Sequence, residues 1–159
     1  MHDIAVLHRR RGMLEQAEAM FNEALRIQKL KLGPDSIHVA ATLRSLASLH
    51  ELQASGTSEC ASVRFETCAC DRARLAESQT LLLEALRITN LVLGCEASES
   101  TALLQVIGEL AERHGHMDQA EFFFQHALRL QEEKHGEGDI ASATRTKILE
   151  LQPPPLSDI

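Results

Sequence analysis

The chain has 159 residues, 44% of them apolar and 25% charged, which is typical of a folded domain rather than a disordered segment. Its formal charge of −7 disfavours general affinity for nucleic acid, because such affinity needs a basic surface. There is no run of about 18 apolar residues, so we expect no membrane span and no membrane partner.

Cysteine is scarce and is not distributed as a disulfide framework. The four cysteines are Cys60, Cys68, Cys70 and Cys95. A chain of this length does not need them as staples, which favours a reducing compartment. The basic residues near the start follow a short apolar stretch, the reverse of a secretory signal. We therefore expect a cytoplasmic location.

Apolar residues recur three and four positions apart in five segments, the pattern of amphipathic helices rather than strands. The segments are residues 14–32, 39–52, 75–93, 103–111 and 117–130. Glycines lie between them, where we expect helices to end in a left-handed residue: Gly12, Gly33, Gly94, Gly115 and Gly136.

A last helix is predicted over residues 138–152, where it is stopped by the three prolines that follow. One side of this helix carries Ile140, Thr144, Ile148 and Leu151. We interpret it as a C-terminal cap, with a frayed tail as the alternative. Residues 153–159 form a proline-rich tail.

A pattern of small, large and small residues occurs three times with the same internal spacing. The copies are Ala17-Phe21-Ala24, Ser78-Leu82-Ala85 and Ala120-Phe124-Ala127. Their third members are 61 and then 42 residues apart, whereas the upstream small residues Ala5, Ala47 and Gly108 are 42 and then 61 apart. The extra residues therefore lie inside the second copy, and we expect a surface loop at about residues 55–73.

These repeated positions resemble the tetratricopeptide repeat. The third copy fits best, with Leu104, Ile107, Gly108, Gly115, Ala120, Phe124 and Ala127. The 42-residue period and residues 32–47 resemble the longer variant of kinesin light chains and nephrocystin-type proteins. The resemblance implies an all-α, right-handed solenoid of three helical hairpins plus a capping helix. The array would cover residues 1–152, with repeats at about 1–35, 36–94 and 95–136.

The resemblance also implies a partner surface, because the first helix of each pair lines the groove in this family. The implied contacts are Val6, Arg9, Arg10, Arg44, Ser45, Ser48, Glu51, Gln105, Glu109, Glu112 and Arg113. This surface would change from basic to acidic and suit a peptide or helical segment of another protein, with its acidic portion near the first repeat. In the alternative interpretation, Arg9 to Arg11 are only a solvated helix end.

Nothing in the sequence indicates an enzyme. Ser-His-Asp spacing, a phosphate-binding glycine loop and a His-Glu-x-x-His helix are all missing, so we expect no catalytic residue and no cofactor. The alternative is a metal or redox site at Cys60, Cys68 and Cys70. Their spacing is a weak metal signal, so we expect no metal. His8 and His50 lie 42 residues apart and are interpreted as structural equivalents.

A competing function is structural. Met1 occupies the fourth position of its repeat, so the outer face of the first helix lacks the stacking neighbour of an internal repeat. That face would have to be covered, which predicts either a homo-oligomer or a fragment of a longer protein.

Overall fold

The computed structural model describes residues 1–56, 69–95, 97–135 and 139–151. Every regular element in these ranges is an α-helix. In chain order they are α1 (His2–Arg10), α2 (Leu14–Leu32), α3 (Ile37–Gly56), α4 (Ala69–Leu93), α5 (Ser98–Arg113), α6 (Met117–His135) and α7 (Asp139–Leu151). The all-α prediction is confirmed, and α2 has the bounds that its apolar spacing predicts.

The chain divides into two compact units, residues 1–95 and residues 96–159. In the first unit α1 packs on α2, α2 on α3, and α3 on α4. One buried cluster joins the first three helices through Ala5, Ala17, Phe21, Leu46 and Leu49. Small residues allow the helix axes to approach, and the aromatic ring fills the space beside them.

The second hairpin keeps this packing although its triplet begins with a serine. Ser78 is fully buried, and its hydroxyl donates a hydrogen bond to the backbone oxygen of Ala47, 3.1 Å away. Because that bond satisfies the hydroxyl, a polar residue is tolerated between α3 and α4.

In the second unit α5 packs on α6, and α6 packs on α7. Ala111, Ala120, Phe124 and Ile148 form its core cluster. Gly108 of α5 lies close against the ring of Phe124 on α6. A Cβ built at this glycine would lie 2.9 Å from Cε1 of Phe124. All three triplets lie in helix contacts, since every member is at most 3% exposed.

The hairpin turns use glycine as predicted. Gly12 and Gly115 have φ of 77° and 76°, a backbone conformation that residues with a Cβ rarely adopt. Each lies two residues after the end of the first helix of a hairpin and reverses the chain before the second helix. Gly136 lies outside the described residues.

The prediction of a loop at residues 55–73 is wrong at both ends of that segment. Helix α3 continues to Gly56 and α4 begins at Ala69, so both ends of that segment are helical. Arg72 and Ala73, near the start of α4, are exposed. Both are good helix formers, which explains why the start of α4 is helical without an apolar stripe. Residues 57–68, with Cys60 and Cys68, lie outside the described part of the chain.

Candidate protein-interaction surface

The surface predicted in the first unit lies on α1 and α3, the first helices of two successive hairpins. Arg9 Nη1 donates a hydrogen bond to Ser48 Oγ, so two of the predicted residues are in direct contact. None of the predicted residues in this unit is buried. Val6, Arg9, Ser45, Ser48 and Glu51 are half-buried, and Arg10 and Arg44 are exposed.

This part of the surface is predominantly basic. Arg10 and Arg44 project from neighbouring helices, and no ion pair holds either of them among the described residues. Glu51 has a different position, since its Oε1 lies 3.4 Å from the hydroxyl of Ser78 on α4. Within this unit, arginine side chains therefore remain available to an acidic partner.

In the second unit the predicted residues lie along α5, and two of them contact α7. Glu109 Oε1 is 2.5 Å from Lys147 Nζ. Gln105 Nε2 donates a 3.0 Å hydrogen bond to Thr144 Oγ1. A depression of about 530 Å³ opens beside the ion pair. It is lined by Glu109, Glu112, Arg113, Met117 and Lys147.

Helix α7 contacts α5 through a threonine, as α3 contacts α1. In the first unit Thr42 Oγ1 is 3.2 Å from His2 Nδ1 and donates a 2.8 Å hydrogen bond to Gln28 Oε1. In the second unit Thr144 accepts the hydrogen bond from Gln105 and donates one of 3.1 Å to Gln131 Oε1. A threonine thus bridges the two preceding helices in both units, and α7 has the place of the first helix of a further hairpin.

Lys147 is the surface residue that sequence reasoning missed. Aligning Thr144 with Thr42 places Lys147 at the position of Ser45, which is a predicted contact residue. The sequence signal for Lys147 is this alignment, and the interpretation of α7 as a cap does not use it. Lys147 also lies over the Phe124 ring, with its Nζ 5.3 Å from the ring centroid.

A second depression in the same unit, of about 210 Å³, lies at the other end of α5. Its lining comes from α5 and α6 and is Ser98, Thr101, Ala102, Gln105, Leu130, Gln131 and Lys134. Gln105 lines this depression and also donates a hydrogen bond to Thr144, so it connects the depression to α7.

His50 lies between three helices of the first unit and is only 7% exposed. Its Nδ1 is 3.4 Å from Glu77 Oε2, and its Nε2 is 3.9 Å from Glu18 Oε1. In the described ranges no group of three or more His, Cys, Asp or Glu side chains could hold a metal ion. No helix among them is both long and apolar enough to cross a bilayer.

Comparison with known proteins agrees with this architecture. Residues 1–55 match the family model of the tetratricopeptide repeat. The chain is similar to the crystal structure of BtubC (BKLC) from P. vanneervenii, with 19% identity and a TM-score of 0.71 over 93% of this chain and 52% of that chain. It is also similar to a Podosopora anserina putative kinesin light chain with nearly identical TPR-like repeats. Here the identity is 15% and the TM-score 0.66, over 94% of this chain and 63% of that one.

The chain therefore spans between about half and just under two thirds of these two structures. No curated protein sequence matches it. The fold is that of an all-α helical repeat protein of the solenoid type. It is defined by the paired helices, the buried small-large-small triplets and the similarity to these two structures. Residues 1–55 match the tetratricopeptide-repeat family, and over nearly the whole chain the likeness to the two solved structures is one of fold.

Proposed function

We propose that the chain is a non-catalytic scaffold that binds a peptide or helical segment of another protein on the surface formed by its first helices. Tetratricopeptide-repeat proteins act as protein-interaction modules, which supports the general function. The observation that carries the specific proposal is the contact of Arg9 with Ser48. It joins two predicted residues from α1 and α3 while leaving Arg10 and Arg44 exposed.

Charge supports a partner segment with an acidic portion. In the first unit Arg10 and Arg44 would pair with carboxylates of the segment. In the second unit the acidic groups Glu109 and Glu112 stand beside Arg113 and Lys147. An acidic segment suits the surface of the first unit, whereas in the second unit Glu112 would repel such a segment. The scarcity of cysteine supports a cytoplasmic place for this binding.

The experiment compares two charge-reversal variants that carry the same change in net charge. In the first, Arg10→Glu and Arg44→Glu alter the proposed surface. In the control, Arg26→Glu and Lys31→Glu alter exposed positions of α2. Proteins captured from cytosol by the native chain are identified, and the affinity of each purified partner for the three chains is measured.

We expect partner affinity to fall by about tenfold or more for Arg10→Glu/Arg44→Glu, and to stay within about threefold for the control. Equal affinity for the native chain and the surface variant, for every partner captured, contradicts the proposed surface. A further surface variant, Glu109→Lys/Glu112→Lys, tests the surface of the second unit. Its partner affinity is compared with that of the native chain in the same way.

A further inference from the structure

The depression of about 210 Å³ between α5 and α6, the α5–α6 depression, contains a polar side chain with an unused hydrogen-bonding group. Gln131 of α6 lines this depression and is only 7% exposed. Its Oε1 accepts a hydrogen bond from Thr144, whereas its Nε2 forms no hydrogen bond with the described residues. Because buried polar groups are normally hydrogen-bonded, an acceptor atom that enters the depression would be stabilised at Nε2.

The other polar groups of the α5–α6 depression indicate the charge of that acceptor. The hydroxyls of Ser98 and Thr101 already donate hydrogen bonds to oxygens of neighbouring residues. Lys134 follows Gln131 on the same face of α6, is exposed, and forms no ion pair with the described residues. No Asp or Glu is among the described lining residues. An ammonium group beside a free amide donor favours a carboxylate as the acceptor.

The position of the depression along α5 also favours negative charge. Ser98 is the first residue of α5, and the N-cap residue Ala97 makes no side-chain hydrogen bond to the first turn. Helix N-termini stabilise anions through their free N–H groups and the helix dipole. Glu99 in the same turn accepts the hydrogen bond of the Ser98 hydroxyl and is not among the lining residues.

The glutamate that would repel an acidic segment lies at the other end of this helix. Ala102, which lines the depression, and Glu112 are about 15 Å apart along the axis of α5. This separation exceeds the screening length of about 8 Å at physiological ionic strength. The start of α5 can therefore accept a negative charge that its last turn repels.

The size of the α5–α6 depression suits one side chain rather than a whole small molecule. Its volume of about 210 Å³ is below the roughly 300 Å³ at which small-molecule pockets begin. Ser98, Ala102 and Lys134 are exposed, so the depression is open to solvent. Gln105, a predicted partner contact, also lines it. A segment bound on α5 can thus keep its backbone outside while one side chain enters.

We propose that the α5–α6 depression binds the carboxylate of an acidic side chain of the partner segment. Gln131 Nε2 and Lys134 Nζ donate to the carboxylate, and Ala102 and Leu130 pack against the methylene groups that carry it. This inference rests on the proposed function, since the side chain belongs to the segment bound there. Both donors stand on the second helix of their hairpin, so they add to the first-helix residues of the proposed surface.

The probe is the capped tripeptide acetyl-Ala-Glu-Ala-amide, titrated into the isotope-labelled full chain. The side-chain amide signals of Gln131 and Gln105 in an NMR spectrum report occupation of the depression. We expect the Gln131 signal to shift saturably, with a dissociation constant of about 1–10 mM, as suits a single charged contact. The matched peptide acetyl-Ala-Gln-Ala-amide lacks only the charge and should bind about threefold more weakly or worse.

Two variants of the chain test the donors. Lys134→Met should weaken binding of the glutamate peptide by about threefold or more. Its control, Lys31→Met, removes the same charge from an exposed lysine near the end of α2 and should leave binding unchanged. Gln131→Glu keeps an acceptor for Thr144 but replaces the free amide donor by a carboxylate, so it should abolish binding.

Two further ligands test the source of the carboxylate. Acetyl-Ala-Ala-Ala with a free carboxyl end represents a chain terminus, and butyrate represents a free small molecule. Both should bind more weakly than the glutamate peptide, and tighter binding of either one overturns the assignment to a side chain. Absence of a saturable shift, equal binding of the two capped peptides, or equal binding to the native and Lys134→Met chains overturns the site itself.

Failure of this site can be told apart from failure of the proposed function. The tripeptide titrations involve neither a captured partner nor Arg10 and Arg44 of the first unit. Partners that need those arginines, together with a chain that does not bind the glutamate peptide, would refute the carboxylate site alone. A chain that binds the peptide but whose partners ignore the arginines would refute the proposed surface of the first unit alone.

Discussion

The ammonium group of Lys147 lies 2.5 Å from the carboxylate of Glu109, so the last helix is joined to a residue predicted to face a partner. The neighbouring contact of Thr144 with Gln105 has its counterpart in the contact of Thr42 with His2. Helix α7 therefore completes the surface of the second unit as well as covering its core. A partner that binds there would meet Lys147 together with the glutamates of α5.

The Lys147–Glu109 pair should contribute little to stability. Both side chains are more than 40% exposed, and exposed pairs contribute about 0–1 kcal/mol. We expect a double-mutant cycle of Lys147→Ala and Glu109→Ala to give a coupling in that range, decreasing as salt is raised. Urea unfolding of the four chains at two salt concentrations measures it. A coupling of several kcal/mol that is independent of salt would contradict this expectation.

Gly108→Ala should destabilise the second unit although alanine favours helices. The new methyl would lie 2.9 Å from Phe124 Cε1, and Phe124 is 1% exposed and cannot easily move. We expect a loss of about 1–3 kcal/mol in the free energy of unfolding, which exceeds the helix-propensity gain of roughly 1 kcal/mol. Denaturant unfolding measures the change.

The control for this prediction is a second-site change. Phe124→Leu removes the ring that the methyl meets, so it should cost less in the Gly108→Ala chain than in the native chain. Strict additivity of the two changes would show that the close approach is not the cause.

Thr144→Val should loosen α7. The hydroxyl is buried, accepts from Gln105 and donates to Gln131, so its removal leaves two amide groups without this partner. We expect a loss of about 1–3 kcal/mol and faster hydrogen exchange at the amides of α7. Thr146→Val is the control, because Thr146 is exposed and its hydroxyl bonds to the Ser142 backbone oxygen alone within the described ranges. Equal effects of the two substitutions would rule out the bridging role.

Glu84 should make stability depend on pH in the acidic range. Hydrogen bonds of 2.8 and 3.0 Å from Arg87 lower the pKa of the Glu84 carboxyl below its ordinary value of 4.5. The folded state therefore favours the ionised form, and the stabilisation is present above the ordinary pKa and lost as pH falls through the lower folded value.

This prediction is checked by comparing the native chain with Glu84→Gln from pH 7 to pH 3. Because Glu84 is 46% exposed, the difference in unfolding free energy should not exceed about 1 kcal/mol at neutral pH. We expect it to shrink as the pH is lowered. A difference that grows on acidification would have the wrong sign and would contradict the assigned cause.

Helical periodicity predicts most of this fold, because the same spacing that marks a helix also marks the face that it buries. Ala17, Phe21 and Ala24 could thus be assigned to the core from sequence alone, and they are at most 3% exposed. The start of α4 could not be found in this way, since Arg72 and Ala73 bury nothing and leave no apolar signal.

The candidate interaction surface could be predicted from the sequence less completely than the fold. Position within a repeat predicts which residues lie on first helices, and the contact of Arg9 with Ser48 agrees with that placement. Position within a repeat does not reveal which side chains pair between helices that are distant in the sequence. The position of Lys147 on this surface follows from the equivalent contacts of Thr144 and Thr42, which only the structure shows.

That equivalence has a consequence for lengthening the array by protein engineering. Aligning Thr144 with Thr42 puts Leu149 where Ala47 stands, and Ala47 is fully buried while Leu149 is 64% exposed. A bulky side chain at that position would hold an added partner helix away from α7. Grafting a further hairpin onto this protein would therefore require Leu149→Ala as a first step.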